Sequence, residues 1–150
     1  MRDDVAEELI TTLAPILANQ RRKWAARCQA HGLSIVSFHA LALLEEHGPI
    51  PMSRLAEHLG VALPNATGVV SRLADRGLVE RGTDPTDRRI VRVGLSADGR
   101  ALLGEMEAER LDRLRRLIST LDAEQQRRLL RSVHDLVGAI VHLGTPTETP

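Results

Sequence analysis

The most constraining stretch of the sequence is MSRLAEHLGVALPNATGVVSRLADRG, residues 52–77, in which two helical patterns follow each other almost without a linker. Gly60 ends the first pattern and Gly77 ends the second, since glycine adopts the left-handed conformation that closes a helix. Only the dipeptide VA separates the two patterns. Two helices joined by so short a turn must cross steeply, which predicts a helix-turn-helix.

A charged, turn-rich loop follows the second of these helices. It lies between two strand-like runs, LVER and IVRVGL, whose β-branched residues favour extended structure. Gly82 and the Asp84-Pro85 dipeptide supply the residues that turns require. The sequence therefore predicts a β-hairpin directly after the helix-turn-helix.

Long amphipathic helices flank this middle part of the chain. Helical periodicity extends from residue 4 to about residue 29, with a kink predicted at Pro15, and returns over 97–120 and 123–143. Polar residues are placed to cap the later helices: Ser34, Ser96 and Asp122 with Gln125. The small central module cannot bury the apolar faces of three long helices, and such helices draw their stability from packing. A second copy of the chain is therefore the expected partner.

The composition narrows the classes of function. Because 20 Lys and Arg residues balance 20 Asp and Glu residues, only a local basic patch could bind nucleic acid. Trp24 and Phe38 are the only Trp, Tyr or Phe side chains, so the stacking surfaces used on single strands are missing and duplex DNA is favoured. No phosphate-binding glycine loop, nucleophile elbow or HExxH motif indicates an enzyme. The absence of a secretory signal, the single cysteine and the short apolar runs favour a cytoplasmic protein without membrane segments.

The second helix of a helix-turn-helix enters the major groove, and here it is predicted over 63–76. Its early outward positions suit base edges, thymine methyls and phosphates: Leu63, Pro64, Asn65, Thr67, Gly68 and Ser71. Arg72 and Arg76 follow and suit the flanking DNA backbone. Gly68 lowers the stability of a helix, which either close approach to the groove or close packing against the preceding helix would explain.

The predicted hairpin is placed to reach the adjacent minor groove, where the negative potential favours an inserted arginine. Asp87 can pair with Arg88 or Arg89 and hold one guanidinium pointing outward. An exposed, salt-bridged hairpin without a DNA contact is the alternative. The position of the loop directly after a helix-turn-helix favours the contact.

The segment SRLADRGLVERGTDPTDRRIVRVGLSADGRALL, residues 71–103, resembles the core signature of the MarR family of transcriptional regulators. The preceding HGLSIVSFHALALLEEHGPIPMSRLAEHLGVALPNATGVVSRL resembles the helices that lead into the family's winged helix-turn-helix. The resemblance implies a homodimer on a palindromic operator, repression of nearby genes, and release by a small phenolic or lipophilic ligand, an oxidant or a metal. The positions that match the family's DNA contacts are Pro64, Asn65, Thr67, Arg72, Asp87, Arg88 and Arg89. The sequence departs from the family's pattern at Ala62, Leu63 and Gly68, so the base preference does not carry over.

The expected fold class is mainly α, an α+β winged helix. A winged helix-turn-helix over 33–96 is expected between long dimerisation helices at 1–32 and 97–144, with a flexible tail at 145–150. The expected function is a homodimeric transcriptional repressor on double-stranded DNA. The alternative is a winged-helix module for protein–protein assembly without DNA binding, and a steep salt dependence of duplex binding would distinguish the first from the second.

Trp24, His31 and His39 are the candidate effector-binding residues. The resemblance places a ligand in the cleft between the dimerisation helices and the winged module. There these side chains and Phe38 would supply an apolar wall with one or two polar groups, which suits an aromatic acid. The alternative is that all of them are core or interface residues.

Cys28 is a candidate redox thiol if Arg22 and Arg27 lower its pKa, and otherwise a small buried apolar residue.

A metal cluster could be assembled from Cys28, His31 and His39 with Glu45 or Glu46. No two of these residues have the i, i+4 spacing of a helical ligand pair. Neither a metal nor a cofactor is therefore predicted.

Overall fold

Helices dominate the fold, and a small antiparallel sheet completes it. The computed structural model describes residues 2–144, with side chains described for residues 4–142. The elements in chain order are α1 (Arg2–Ala30), α2 (Ile35–His47), β1 (Ile50–Pro51), α3 (Met52–Leu59), α4 (Leu63–Asp75), β2 (Val79–Thr83), β3 (Val91–Leu95), α5 (Ala97–Ser119) and α6 (Ala123–Gly144). The predicted α+β winged-helix class is confirmed, whereas the predicted tail at 145–150 lies outside the described residues. Over the described range, none of the helices has the length and hydropathy that a bilayer span requires.

The chain divides into two compact units, one up to Gly104 and one from Glu105 onward, so that the division falls inside α5. The first unit contains α1 to β3 and the first turns of α5. The second contains the rest of α5 and α6. All of the predicted DNA-contacting residues lie in the first unit.

The sheet has the strand order β1-β3-β2, with both pairings antiparallel. Strands β2 and β3 form the predicted hairpin, from the Val79–Leu95 pair to the Thr83–Val91 pair. Strand β1 lies in the HGPIP segment between α2 and α3, and it pairs with the other side of β3. Its Pro51 is tolerated because β1 is an edge strand and needs no second partner.

The helix caps form as predicted. The Ser34 hydroxyl accepts a hydrogen bond from the Ser37 amide at 3.0 Å at the start of α2. At the start of α6, the Asp122 carboxylate accepts from the Gln125 amide at 2.8 Å, and the Gln125 side chain accepts from the Asp122 amide at 2.8 Å. This reciprocal pair is a capping box.

The start of α5 is seated closely on the turn between α4 and β2. The Ser96 hydroxyl accepts a bond from the Gly99 amide at 2.9 Å and donates one to the Gly77 carbonyl at 2.6 Å. A Cβ atom at Gly99 would lie 2.1 Å from the Leu78 carbonyl oxygen. Glycine is therefore required there by the close approach of the two backbones.

The core of the first unit lies between α2, α3, α4 and the sheet. Its most deeply buried large side chains are Leu41, Leu44, Leu55, Val70, Leu73 and Val93. The helical pattern of α2 predicts burial of its apolar positions 35, 38, 41, 42 and 44, and the structure buries Leu41 and Leu44. Ile35, Phe38 and Ala42 remain partly exposed, and the buried face also includes Ser37 and Ala40.

Candidate nucleic-acid interface

Helices α3 and α4 form the predicted helix-turn-helix. Gly60 ends α3 in the left-handed conformation, with φ 65° and ψ 31°, and the chain re-enters a helix at Leu63. The residues buried on the facing sides of the two helices are Leu55, Ala56, Ala66, Val69, Val70 and Leu73. Because these side chains occupy one face of α4, the opposite face is free to contact another molecule.

The outward face of α4 carries the residues expected to contact DNA. Exposed or partly exposed on it are Pro64, Asn65, Thr67, Gly68, Ser71 and Arg72. The Thr67 hydroxyl donates to the Leu63 carbonyl at 2.9 Å, so its proton is used within the helix. Thr67 therefore presents its methyl group and an acceptor oxygen, but no free donor, to a ligand.

The structure separates the two explanations for Gly68. Among the residues whose side chains are described, a Cβ atom built at this position would meet only the Arg72 guanidinium, at 3.7 Å, which is an ordinary contact with a flexible side chain. Close packing against α3 is therefore the wrong explanation. Close approach of α4 to an external surface remains the prediction.

Arg81 on β2 is a site residue that the sequence interpretation missed. Its guanidinium donates to the Ser71 hydroxyl at 2.7 Å and so connects the hairpin with α4. The alternation of β2 offered a signal, since Arg81 is two residues after the buried Val79 and shares its face. The partner on α4, however, depends on the tertiary fold.

The loop of the hairpin is organised around Asp84, which was expected only to favour a turn. Its carboxylate accepts from the Thr86 hydroxyl at 2.5 Å, the Thr86 amide at 2.8 Å and the Asp87 amide at 3.2 Å. Arg92 donates to it at 2.8 Å and also donates to the Pro49 carbonyl at 2.8 Å. These bonds, those from Thr86 foremost, lower the pKa of Asp84 to about 2. The hairpin is thereby tied to the segment that precedes β1.

Asp87 holds Arg89, as predicted. The Arg89 Nε and Nη2 atoms lie 3.1 and 3.3 Å from the two carboxylate oxygens, and Arg89 lowers the pKa of Asp87. The Arg89 side chain is nevertheless 91% exposed, so the pairing orients the guanidinium without burying it. Arg88 beside it is also exposed.

A groove of about 430 Å³ lies between α4 and the hairpin. Leu63 and Thr67 line it from the helix, and Arg81 and Arg89 line it from the hairpin. The groove therefore brings Thr67 of the predicted helix and the predicted hairpin arginine Arg89 to one surface.

Arg76 does not have the predicted role. Its guanidinium donates to the His31 carbonyl at 2.8 Å and to the Gly32 carbonyl at 2.7 Å, both in the turn between α1 and α2. The assignment of Arg76 to the DNA backbone is wrong, because these bonds turn the side chain toward its own fold. Helix α4 also ends at Asp75, one residue earlier than expected.

The candidate effector residues lie along α1, α2 and the turn between them. Trp24 packs edge-on against Phe38, with ring centroids 4.8 Å apart, and the Phe38 ring lies 6.2 Å from the His39 ring. Trp24 and His31 are partly buried, while His39 is exposed on a groove between α2 and α3. Trp24 and Phe38 thus pack α1 against α2, and a common pocket for Trp24, His31 and His39 stays a prediction.

The structure contradicts a reactive thiol at Cys28. The side chain is fully buried, and burial raises the pKa of the thiol instead of lowering it. Cys28 is the small buried apolar residue of the alternative interpretation. Among residues 4–142, the structure brings together no group of three or more His, Cys, Asp or Glu side chains that could hold a metal ion.

Comparisons with known proteins agree with this architecture. The model of the MarR family matches residues 33–91. The chain is 30% identical over 138 residues to the HTH-type transcriptional regulator Mb0904 of Mycobacterium bovis. This match covers 92% of this chain and 96% of Mb0904. It is 39% identical over 74 residues to the HTH-type transcriptional repressor NicR of Pseudomonas putida, covering 49% of this chain and 47% of NicR.

A solved structure shows the same fold. A mutant of MepR from S. aureus, bound to an oligodeoxyribonucleotide, superposes with a TM-score of 0.73 at 17% identity, over 87% of this chain and 96% of that one. The length of the match to Mb0904 extends the relationship beyond the winged module to the flanking helices. The chain therefore belongs to the MarR family of winged helix-turn-helix transcriptional regulators, which bind DNA and are not enzymes.

Proposed function

We propose that the protein is a homodimeric transcriptional repressor that binds a palindromic duplex operator. One observation carries the proposal: Leu63 and Thr67 on the exposed face of α4 border the same groove as the outward-held Arg89. A major groove admits one α-helix, and the neighbouring minor groove attracts an arginine. In each half-site, α4 enters the major groove and the hairpin enters the flanking minor groove.

The unpartnered apolar surfaces of the single chain support a dimer. Leu9 and Leu13 on α1 are 57% and 48% exposed, and Leu136 and Ile140 on α6 are 60% and 58% exposed. A monomer rarely leaves so many large apolar side chains in water, and most soluble homodimers bury the same surface of both copies around a twofold axis. We therefore assign 1–32 and 97–144 to dimerisation and 33–96 to DNA binding.

Two relatives lend support to a repressor on DNA. NicR is named a transcriptional repressor, and the MepR mutant is described as bound to an oligodeoxyribonucleotide. The twofold axis of a dimer predicts an inverted repeat whose half-sites lie about one helical turn, roughly 10 bp, apart.

Selection of bound duplexes from a random pool tests the proposal directly. We expect enrichment of an inverted repeat and a steep fall of affinity between low and high salt, because phosphate contacts release counterions. Enrichment of a single unpaired half-site would contradict the dimeric arrangement. No enrichment together with a flat salt dependence would favour the protein–protein assembly module instead.

We further propose that a small aromatic or lipophilic effector releases the DNA by binding near Trp24, His31 and His39. The edge-on Trp24–Phe38 pair supplies aromatic surface there, and His39 supplies a polar group. Titration of the protein–operator complex with aromatic acids, with the intrinsic Trp24 fluorescence as a second signal, tests this site. Release without any change in Trp24 fluorescence would place the effector elsewhere. Release by oxidation of Cys28 is not proposed, since the thiol is buried.

A further inference from the structure

We propose that Arg81, oriented by Ser71, is the binding site for a backbone phosphate of the operator, in the groove between α4 and the hairpin. The inference rests on the proposed function, and it assigns a contact to a residue outside the set that the sequence suggested. In each half-site, the phosphate lies between the bases contacted by α4 and the minor groove entered by the hairpin.

Arg81 carries a positive charge that no nearby carboxylate of the described residues neutralises. Two other hairpin arginines are paired with carboxylates, Arg92 with Asp84 at 2.8 Å and Arg89 with Asp87 at 3.1 Å. In the part of the chain whose side chains are described, no carboxylate oxygen lies within 4.0 Å of the Arg81 guanidinium, whose hydrogen-bond partner is the neutral Ser71 hydroxyl. Arg81 therefore keeps an unneutralised positive charge, and an anion can complete its hydrogen bonding.

The hydrogen bond between Arg81 and Ser71 orients both polar groups. Ser71 accepts the bond from Arg81 Nη2 at 2.7 Å, so the hydroxyl proton of Ser71 is not used in this bond and can donate to an anionic oxygen. Arg81 itself is held in place on β2, where it pairs in register with Val93. A guanidinium and a hydroxyl fixed side by side on two different elements can both donate to one phosphate.

The groove around Arg81 has both apolar and cationic side chains in its lining. Apolar side chains, Leu63 from α4 and Ile90 and Val91 from the hairpin, border it together with the arginines Arg81 and Arg89. These apolar side chains are 48%, 38% and 43% exposed. Alternating cationic and apolar surface matches a sugar–phosphate backbone, whose phosphates are anionic and whose deoxyribose faces are largely apolar. The groove also lies where a DNA strand must pass between a helix in the major groove and a hairpin in the minor groove.

The test compares the salt dependence of operator binding for four proteins: the wild type, Arg81→Ala, Arg81→Lys and Ser71→Ala. Removal of one phosphate contact reduces the magnitude of the slope of log affinity against log salt by about 1, equally on operator and random duplex. Because the homodimer has one such contact in each half-site, the substitution removes two contacts and the magnitude should fall by about 2. We expect this change for Arg81→Ala, with about tenfold weaker binding at low salt. Arg81→Lys keeps the charge and should keep the slope. Ser71→Ala also keeps the charge, so it should weaken binding while the slope stays unchanged.

Arg110→Ala serves as the matched control, because it removes the same charge from α5 and breaks only an exposed pair with Glu107. It should leave the slope unchanged. A wild-type slope for Arg81→Ala would overturn this inference and leave the proposed function standing. A lowered slope for Arg81→Lys would show that the loss of slope comes from a structural change and not from the lost charge, and it would also overturn this inference. Failure of the wild type to bind any duplex would overturn both this inference and the proposed function.

Discussion

Replacement of Gly68 by alanine should stabilise the protein and at the same time weaken its binding to DNA. Gly68 lies inside α4, and a Cβ atom there would touch nothing but the Arg72 guanidinium at 3.7 Å. Alanine is favoured over glycine in a helix interior by about 0.5–1 kcal/mol. Since no packing cost opposes this gain, the midpoint of thermal unfolding should rise by about 1–4 °C for a chain of this size.

The same methyl group should interfere with DNA. If α4 approaches the base edges at Gly68, the added carbon must displace the helix from the groove or displace a base contact. We expect the affinity for the selected operator to fall at least about tenfold, equivalent to about 1.4 kcal/mol, with a smaller fall on random duplex. Fluorescence anisotropy on both duplexes and thermal unfolding at one protein concentration measure the two effects.

Gly104→Ala is the matched control for this experiment. Gly104 lies in α5, outside α4 and the hairpin, and a Cβ atom there would meet no described residue within 4 Å. It should produce a similar stabilisation without a loss of affinity. A Gly68→Ala protein that is more stable and still binds the operator as tightly as the wild type would refute the close approach, and a less stable one would refute the absence of a packing constraint.

Three further predictions concern the hairpin and the dimer. Leu136→Asp should give monomers in sedimentation, because an unpaired carboxylate would be buried in the proposed dimer seam, and a dimeric mutant would place the seam elsewhere. The pKa of Asp84 is lowered to about 2, so its stabilising contribution should be complete above about pH 4 and should be lost as the pH falls toward 2. The midpoint of thermal unfolding of Asp84→Asn should therefore depend less on pH between about pH 2 and 4 than that of the wild type. The same pH dependence in both proteins would contradict the stabilising role of the carboxylate. Arg89→Ala should lose about 1–3 kcal/mol of binding, most on A·T-rich flanks, whereas Arg110→Ala should lose none. If the Arg89 variant binds as tightly as the wild type, the proposed contact of Arg89 with the minor groove is wrong.

Most of the fold was predictable because its signals are local. The caps at Ser34 and Ser96, the capping box of Asp122 and Gln125, and the left-handed Gly60 each depend on residues a few positions apart. Strand β1 was not predictable in this way. Its two residues extend only because β3, far along the chain, offers a free edge to pair with.

In the candidate site, too, the features that depend on residues close in sequence were predictable, and those that join distant elements were not. The exposed face of α4 follows from helical periodicity, and the Asp87–Arg89 pair lies within three residues of one loop. The bonds of Arg81 to Ser71 and of Arg76 to the α1–α2 turn join different elements, so the sequence alone does not show them. Burial of Cys28 is likewise a tertiary property, which is why its thiol chemistry was open at the level of sequence.

The two bonds of Arg76 connect two helices outside the apolar core. They attach the residue that follows α4 to the turn that ends α1, so the end of α4 and the end of α1 are joined by hydrogen bonds as well as by packing. Both acceptors are main-chain carbonyls, which every amino acid carries. The residue at position 31 can therefore change during evolution while the hydrogen-bonded connection between α1 and α4 is kept.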